Sequence, residues 1–242
     1  MTPMVAPQRL TFQVSLRRLD AAQKPGDGVP AYTRWVNRRA ARYFCAAFAH
    51  LGATPSMVSV VSILTTLAGL GAFLALHRTP WLAGLVAAVL LAIGYALDSA
   101  DGQLARLQGS SSLQGEWLDH TLDAVRMPTV HLSIAAGFLL MDAPLLAVVA
   151  AAFSVIASAA FLSQNLGGLL RDRSHTSRSR VRRHQSWLLL PADPGVLCWI
   201  FVLWAVLPFF GAAYVALFIA NALHITVSTR RRWLELSEGA SA

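Results

Sequence analysis

From Pro55 onward the chain alternates between long apolar runs and short polar breaks. The apolar runs are Ser56 to Leu76, Trp81 to about Leu97, Gly115 to Met141, Leu145 to Leu170, Trp187 to Phe209 and Gly211 to Val227. Each approaches or exceeds the roughly 20 residues that a helix needs to cross the hydrocarbon core of a bilayer. The fifth run is interrupted by Pro191 to Gly195, and the breaks fall at His77 to Pro80, Gln103 to Gln114, Asp142 to Pro144 and Arg171 to Arg183. Backbone polar groups in lipid must be satisfied within the segment, so runs of this length predict helices. The pattern predicts an all-α integral membrane protein with six transmembrane helices.

Upstream, between Tyr32 and Leu51, arginines alternate with Trp35, Val36, Tyr43, Phe44 and Phe48. This basic amphipathic pattern suits a juxtamembrane helix over residues 31–52, lying on the cytoplasmic membrane face. Residues 1–30 hold Pro3, Pro7, Pro25, Gly26, Gly28 and Pro30 and no long apolar run, so we expect a flexible cytoplasmic N-terminus and no cleavable signal peptide. The expected organisation is that N-terminus, the amphipathic helix, a six-helix membrane-embedded catalytic domain over 53–230, and a cytoplasmic tail over 231–242.

Composition excludes several classes. With 55% hydrophobic and 13% charged residues and a mean hydropathy of +0.52, the chain cannot cover itself with a water-soluble surface. The net charge of +8 raises the question of nucleic acid, but the arginines cluster at 34–42, 171–183 and 230–232, beside the apolar runs. That placement follows the positive-inside rule, which puts both termini and the loop after the second run in the cytoplasm of a multi-pass plasma-membrane protein and leaves no nucleic-acid partner. Two cysteines, Cys45 and Cys198, make neither a disulfide framework nor a zinc site.

The acidic residues carry the chemistry. Five of the twelve, Asp98, Asp101, Glu116, Asp119 and Asp123, fall within 26 positions at the ends of two apolar runs. A carboxylate at membrane depth costs on the order of 2.5–3.5 kcal/mol, so such a concentration calls for compensating cations or a polar cavity. Asp98 and Asp101 are three apart and Asp119 and Asp123 four apart, which puts each pair on one face of its helix. If the two helices are antiparallel neighbours, the faces converge on one pocket. Hard oxygen donors suit magnesium, manganese or calcium, and two such ions side by side serve phosphoryl transfer; we expect Mg2+ or Mn2+. Gly102, Ala105 and Gly115 leave room for a ligand, and Arg106 is a planar cation suited to phosphate. The competing reading is a cation transporter or channel that uses the intramembrane aspartates.

The order Asp98-x-x-Asp101-Gly102-x-x-Ala105-Arg106, eight residues, then Gly115-x-x-x-Asp119-x-x-x-Asp123 resembles the signature of the CDP-alcohol phosphotransferases at every fixed position. The resemblance implies a membrane-embedded phosphotransferase of phospholipid biosynthesis. It would move a substituted phosphate, phosphatidyl in the leading case, from CDP-diacylglycerol or another CDP-alcohol to the hydroxyl of a small second alcohol, with release of CMP. It implies that Asp98, Asp101, Asp119 and Asp123 are metal ligands and that Asp123 is also the general base. Ser56, Ser59, Asp98, Gly102, Ala105, Arg106, Ser112 and Gly115 would hold the CDP moiety, and the protein would work as a homodimer. The chain departs from the pattern at Ser56, where the family has Asn or Asp. It also has no arginine or lysine in the fifth run, so the inositol-phosphate pocket of some members is not carried over. Arg126, Gln164 and Arg171 are candidate acceptor contacts, with ion pairing the other reading for Arg126; His131 and His224 read as packed residues.

Overall fold

A computed structural model describes residues 11–21, 28–173 and 185–239. The described residues are helical, with no strand among them. Helix α1 (Phe12–Ala21) precedes a π-helical turn (Thr33–Asn37) that runs into α2 (Arg38–Leu51). Four long helices follow: α3 (Pro55–Ala75), α4 (Pro80–Gln108), α5 (Leu113–Leu140) and α6 (Pro144–Arg173). A broken segment then comprises α7 (Gln185–Leu188), a 3-10 turn (Leu190–Ala192), α8 (Pro194–Ile200) and a further 3-10 stretch (Phe201–Ala205), before α9 (Leu207–Gly239).

The boundaries follow from local chemistry. Thr54, Ser112 and Asp193 cap α3, α5 and α8, their side-chain oxygens accepting from the backbone N–H of Met57, Gly115 and Gly195. Pro55, Pro80 and Pro194 occupy first-turn positions, where a missing N–H costs nothing. Helix α4 ends at Gly109 in the left-handed conformation that glycine adopts without strain.

Helix α4 is the axis of the fold, packing against α2, α3, α8 and the Phe201–Ala205 stretch, while α5 packs against α3 and α6, and α6 against α9. The end of the bundle away from the aspartates is filled by aromatic rings: Phe73, Phe138, Phe201, Trp204, Phe210 and Tyr214 are all buried in one cluster. The aspartate end is packed with smaller residues, including Ala41, Cys45, Ala49, Val58 and Ala100, topped by Leu19 of α1.

Among the described residues four helices are long and apolar enough to cross a membrane: α3, α4, Pro144–Leu170 of α6 and Leu207–Ser237 of α9. This is two fewer than the six expected. Helix α5 has the length, but Asp119, Asp123, Arg126 and His131 lower its apolarity, and the broken segment offers only the short apolar stretch Pro194–Ala205. Two further differences concern the N-terminus and the polar loop. A helix forms at Phe12–Ala21, where no regular element was expected, because the prolines at 3, 7, 25 and 30 lie on either side of it. The polar stretch 103–114 is mostly helix, since α4 continues to Gln108 and α5 starts at Leu113; Gln103 and Gln108 donate to the carbonyls of Arg38 and Ala53.

Candidate active site

Because α4 runs on past its apolar half, Asp98, Asp101, Gly102, Ala105 and Arg106 stand on one continuous helix, and Asp119 and Asp123 face them from the first turns of α5. One carboxylate oxygen from each of Asp98, Asp119 and Asp123 lies within 4.8 Å of the others. Three hard anionic donors this close fit a divalent cation such as Mg2+ or Mn2+ and poorly fit a soft metal. Asp101 is not in that group: it is buried and accepts a hydrogen bond of 2.5 Å from Ser59 Oγ on α3.

Arg126, one turn beyond Asp123, is 8% exposed. Its Nη1 donates to Asp98 Oδ1 and to Asp123 Oδ1, both at 2.6 Å, and its Nη2 donates to Ser62 Oγ at 2.8 Å. Arg126 is thus ion-paired with both aspartates. Ser62 in turn donates to the Gly94 carbonyl at 2.8 Å. A Cβ at Gly94 would collide with Thr66 Oγ1, so glycine there is what lets α3 and α4 come close enough for this chain of bonds.

The remaining expected contacts fall around this centre. A Cβ at Gly102 would meet only Arg106 Nη1, at 3.5 Å, so packing alone does not require glycine there. Ser112 already accepts from the Gly115 N–H at 3.1 Å as the cap of α5. Ser56 is exposed in the first turn of α3, and Ala105 is half-buried on α4. Cys45 on α2 is buried, and burial pushes its thiol up to about 12.

A cavity of about 400 Å³ opens from the carboxylates into the bundle, lined by Tyr95, Asp98, Ser99, His120, Asp123, Arg126, His131, Gln164 and Asn165, with Leu197 and Cys198 on the α8 side. Gln164, a candidate acceptor contact, lines this cavity, whereas the side chain of Arg171, the other candidate, lies outside the described residues. Its neighbour Asn165 has a buried Nδ2 with no partner among the described residues. His131 is packed, as expected, stacking on Phe153 at 4.0 Å with Nδ1 2.7 Å from Tyr214 Oη.

Several polar residues that shape the site were not found from the sequence. Ser62, Tyr95 and Ser99 are isolated polar positions within apolar runs and carry no pattern. Asn37, at the end of the π-helical turn, donates to Tyr95 O at 3.2 Å and Ser99 Oγ at 2.7 Å, tying the N-terminal segment to the cavity wall. Asp193 accepts from Thr33 N at 2.8 Å, Thr33 Oγ1 at 2.9 Å and Gly195 N at 3.0 Å, and Thr33 Oγ1 lies 2.6 Å from Tyr95 Oη. The run Asp193-Pro194-Gly195 did carry a signal, a capping aspartate before a first-turn proline.

A family model described as CDP-alcohol phosphatidyltransferase matches residues 52–228. An archaetidylinositol phosphate synthase of Pyrococcus horikoshii is 34% identical over 89 residues, 37% of this chain and 44% of that protein. The chain therefore aligns with less than half the length of that curated relative.

Proposed function

The chain belongs to the CDP-alcohol phosphatidyltransferase family, and from that premise we propose that it transfers a phosphatidyl group from CDP-diacylglycerol to the hydroxyl of a small second alcohol, releasing CMP. The observation that carries this reading is the convergence of Asp98, Asp119 and Asp123, within 4.8 Å, at the mouth of a cavity large enough for a small acceptor. A relative named for synthesis of archaetidylinositol phosphate supports a lipid product.

In this reading Asp98, Asp119 and Asp123, joined by Asp101, hold two Mg2+ or Mn2+ ions. When bound, such ions neutralise the phosphates and stabilise the attacking and leaving oxygens. Ser59, Gly102 and Arg106, with Ser56, Ala105, Ser112 and Gly115 around them, receive the CDP moiety on the α3 and α4 side, where the open space at Gly102 admits the pyrophosphate. The acceptor occupies the cavity beside Gln164. Asp123 takes the proton of the acceptor hydroxyl as its oxygen attacks the lipid-bearing phosphorus; the P–O bond to CMP breaks and CMP leaves with the electron pair.

The same reading makes α5 and the broken segment cross the bilayer with the four longer helices, for six crossings in a catalytic domain over 53–230. Helix α2 then lies on the cytoplasmic membrane face, beside the aspartates and both termini, and the protein works as a homodimer in the plasma membrane.

The test is CMP release by purified protein with Mg2+ and CDP-diacylglycerol, across glycerol 3-phosphate, inositol phosphate, inositol and serine. We expect CMP with one acceptor and none after chelation. No CMP from any CDP-alcohol and acceptor overturns the reading.

A further inference from the structure

Arg126 holds a cationic side chain where the family reaction calls for bound metal, and the geometry says how the two coexist. Each carboxylate has two oxygens. Arg126 Nη1 uses Oδ1 of Asp98 and Oδ1 of Asp123, leaving the second oxygen of each for another cation. The guanidinium is also fixed from behind, where Nη2 donates to Ser62 Oγ and Ser62 donates to the Gly94 carbonyl. Its Nε is buried with no partner among the described residues.

We propose that Arg126, anchored by Ser62, is a positioning residue that sets the orientation and spacing of Asp98 and Asp123 across α4 and α5, so that their free oxygens face a divalent cation together with Asp119. The proposal rests on the metal-dependent reading above. A planar fork that bonds two carboxylates and a hydroxyl at once fixes angles as well as charge, which an ammonium point charge does not. Partners that orient metal ligands through such bonds typically account for about 10- to 100-fold in metal affinity. The opposite role, a built-in cation that competes with metal, predicts the opposite sign: removing it would tighten metal binding.

The experiment is Mn2+ binding to the full-length protein in nanodiscs, followed by electron paramagnetic resonance, with a thermal melt of each metal-free variant. Wild type is expected to bind Mn2+, Arg126→Gln to bind about 10- to 100-fold more weakly, and Ser62→Ala to weaken binding by a smaller factor through lost anchorage. Arg126→Lys, which keeps the charge and loses the fork, should stay close to Arg126→Gln. Unchanged or tighter Mn2+ binding by Arg126→Gln overturns the proposal, as does full recovery in Arg126→Lys or a lower melting temperature with wild-type affinity. If Arg126→Gln does not fold, Ser62→Ala decides: wild-type affinity there overturns the anchoring. If wild type itself binds no Mn2+, the metal-dependent reading falls and takes the proposal with it, an outcome distinct from the others.

Discussion

One buried aspartate and a cluster of half-buried ones stand in this fold on opposite terms. Asp193, 2% exposed at the start of α8, accepts from three neutral donors, two on Thr33 and the N–H of Gly195. Asp98 and Asp123 instead share a single guanidinium nitrogen, with Asp119 crowding the same space. A carboxylate whose lone pairs are taken by hydrogen bonds is a structural part; carboxylates that share one space repel one another, and such clusters persist where a cation or ligand compensates them. The contrast shows that the partners of an acid, and not its burial alone, mark out the chemical site.

The sharpest way to break this contrast is to change one aspartate on each side. Asp123→Asn should lower turnover by about 10²–10⁴-fold, the usual range for a lost general base, while the metal-free protein melts no earlier than wild type, since the variant relieves like-charge crowding. CMP release and a thermal melt measure the two halves. An active Asp123→Asn protein would remove the base assignment.

Asp193→Ala should do the reverse. Three donors lose their acceptor, and each buried donor left unsatisfied costs about 1–3 kcal/mol, so a loss of about 3 kcal/mol or more is expected in detergent denaturation. The folded fraction should keep turnover within a few-fold. If turnover per folded molecule fell as far as in Asp123→Asn, Asp193 would belong with the catalytic set.

Part of this contrast was legible in the chain. The intervals between Asp98, Asp101, Asp119 and Asp123 are helical intervals, so each pair shares a face; what the intervals did not show is that α4 and α5 each pack on α3 rather than directly on one another. Helix continuity through 103–108 was not legible, because Gln103, Arg106 and Gln108 read as loop by polarity, although each is compatible with helix and the stop signal is Gly109. The pairing of Arg126 with Asp123 is a three-residue interval visible in sequence; its second bond, to Asp98, crosses between helices and is set by tertiary packing. Ser62 could not be singled out, since serines in apolar helices usually bond their own backbone. The fifth apolar run was read as interrupted at Pro191 to Gly195, and the break is there, but what it serves emerges only from Thr33, about 160 residues away in sequence.

The α8 junction offers a smaller test. A Cβ at Gly195 would overlap the ring of Tyr32, so Gly195→Ala forces the ring or the helix to shift. Overpacking of this kind costs about 1–3 kcal/mol, read by the same denaturation, and should leave CMP release by the folded protein unchanged. A variant as stable as wild type would mean that the N-terminal segment is not fixed against α8.

The mildest change separates a purely structural latch from one that shapes the cavity. Trp199 Nε1 donates to Tyr32 Oη at 2.8 Å, and burial pushes the Tyr32 phenol above its ordinary value, so it stays a neutral acceptor throughout the working pH range. Tyr32→Phe deletes that acceptor and keeps the ring against Gly195, for an expected cost of about 1 kcal/mol. Next to Tyr32, Thr33 bonds both Asp193 and Tyr95 Oη, and Tyr95 lines the cavity. If the latch only holds the chain in place, Tyr32→Phe lowers stability slightly and leaves both kcat and the KM for the acceptor alone. A rise in acceptor KM at unchanged kcat, with stability near wild type, would instead show that the N-terminal segment sets the width of the cavity through Tyr95, and the two regions would then be one machine.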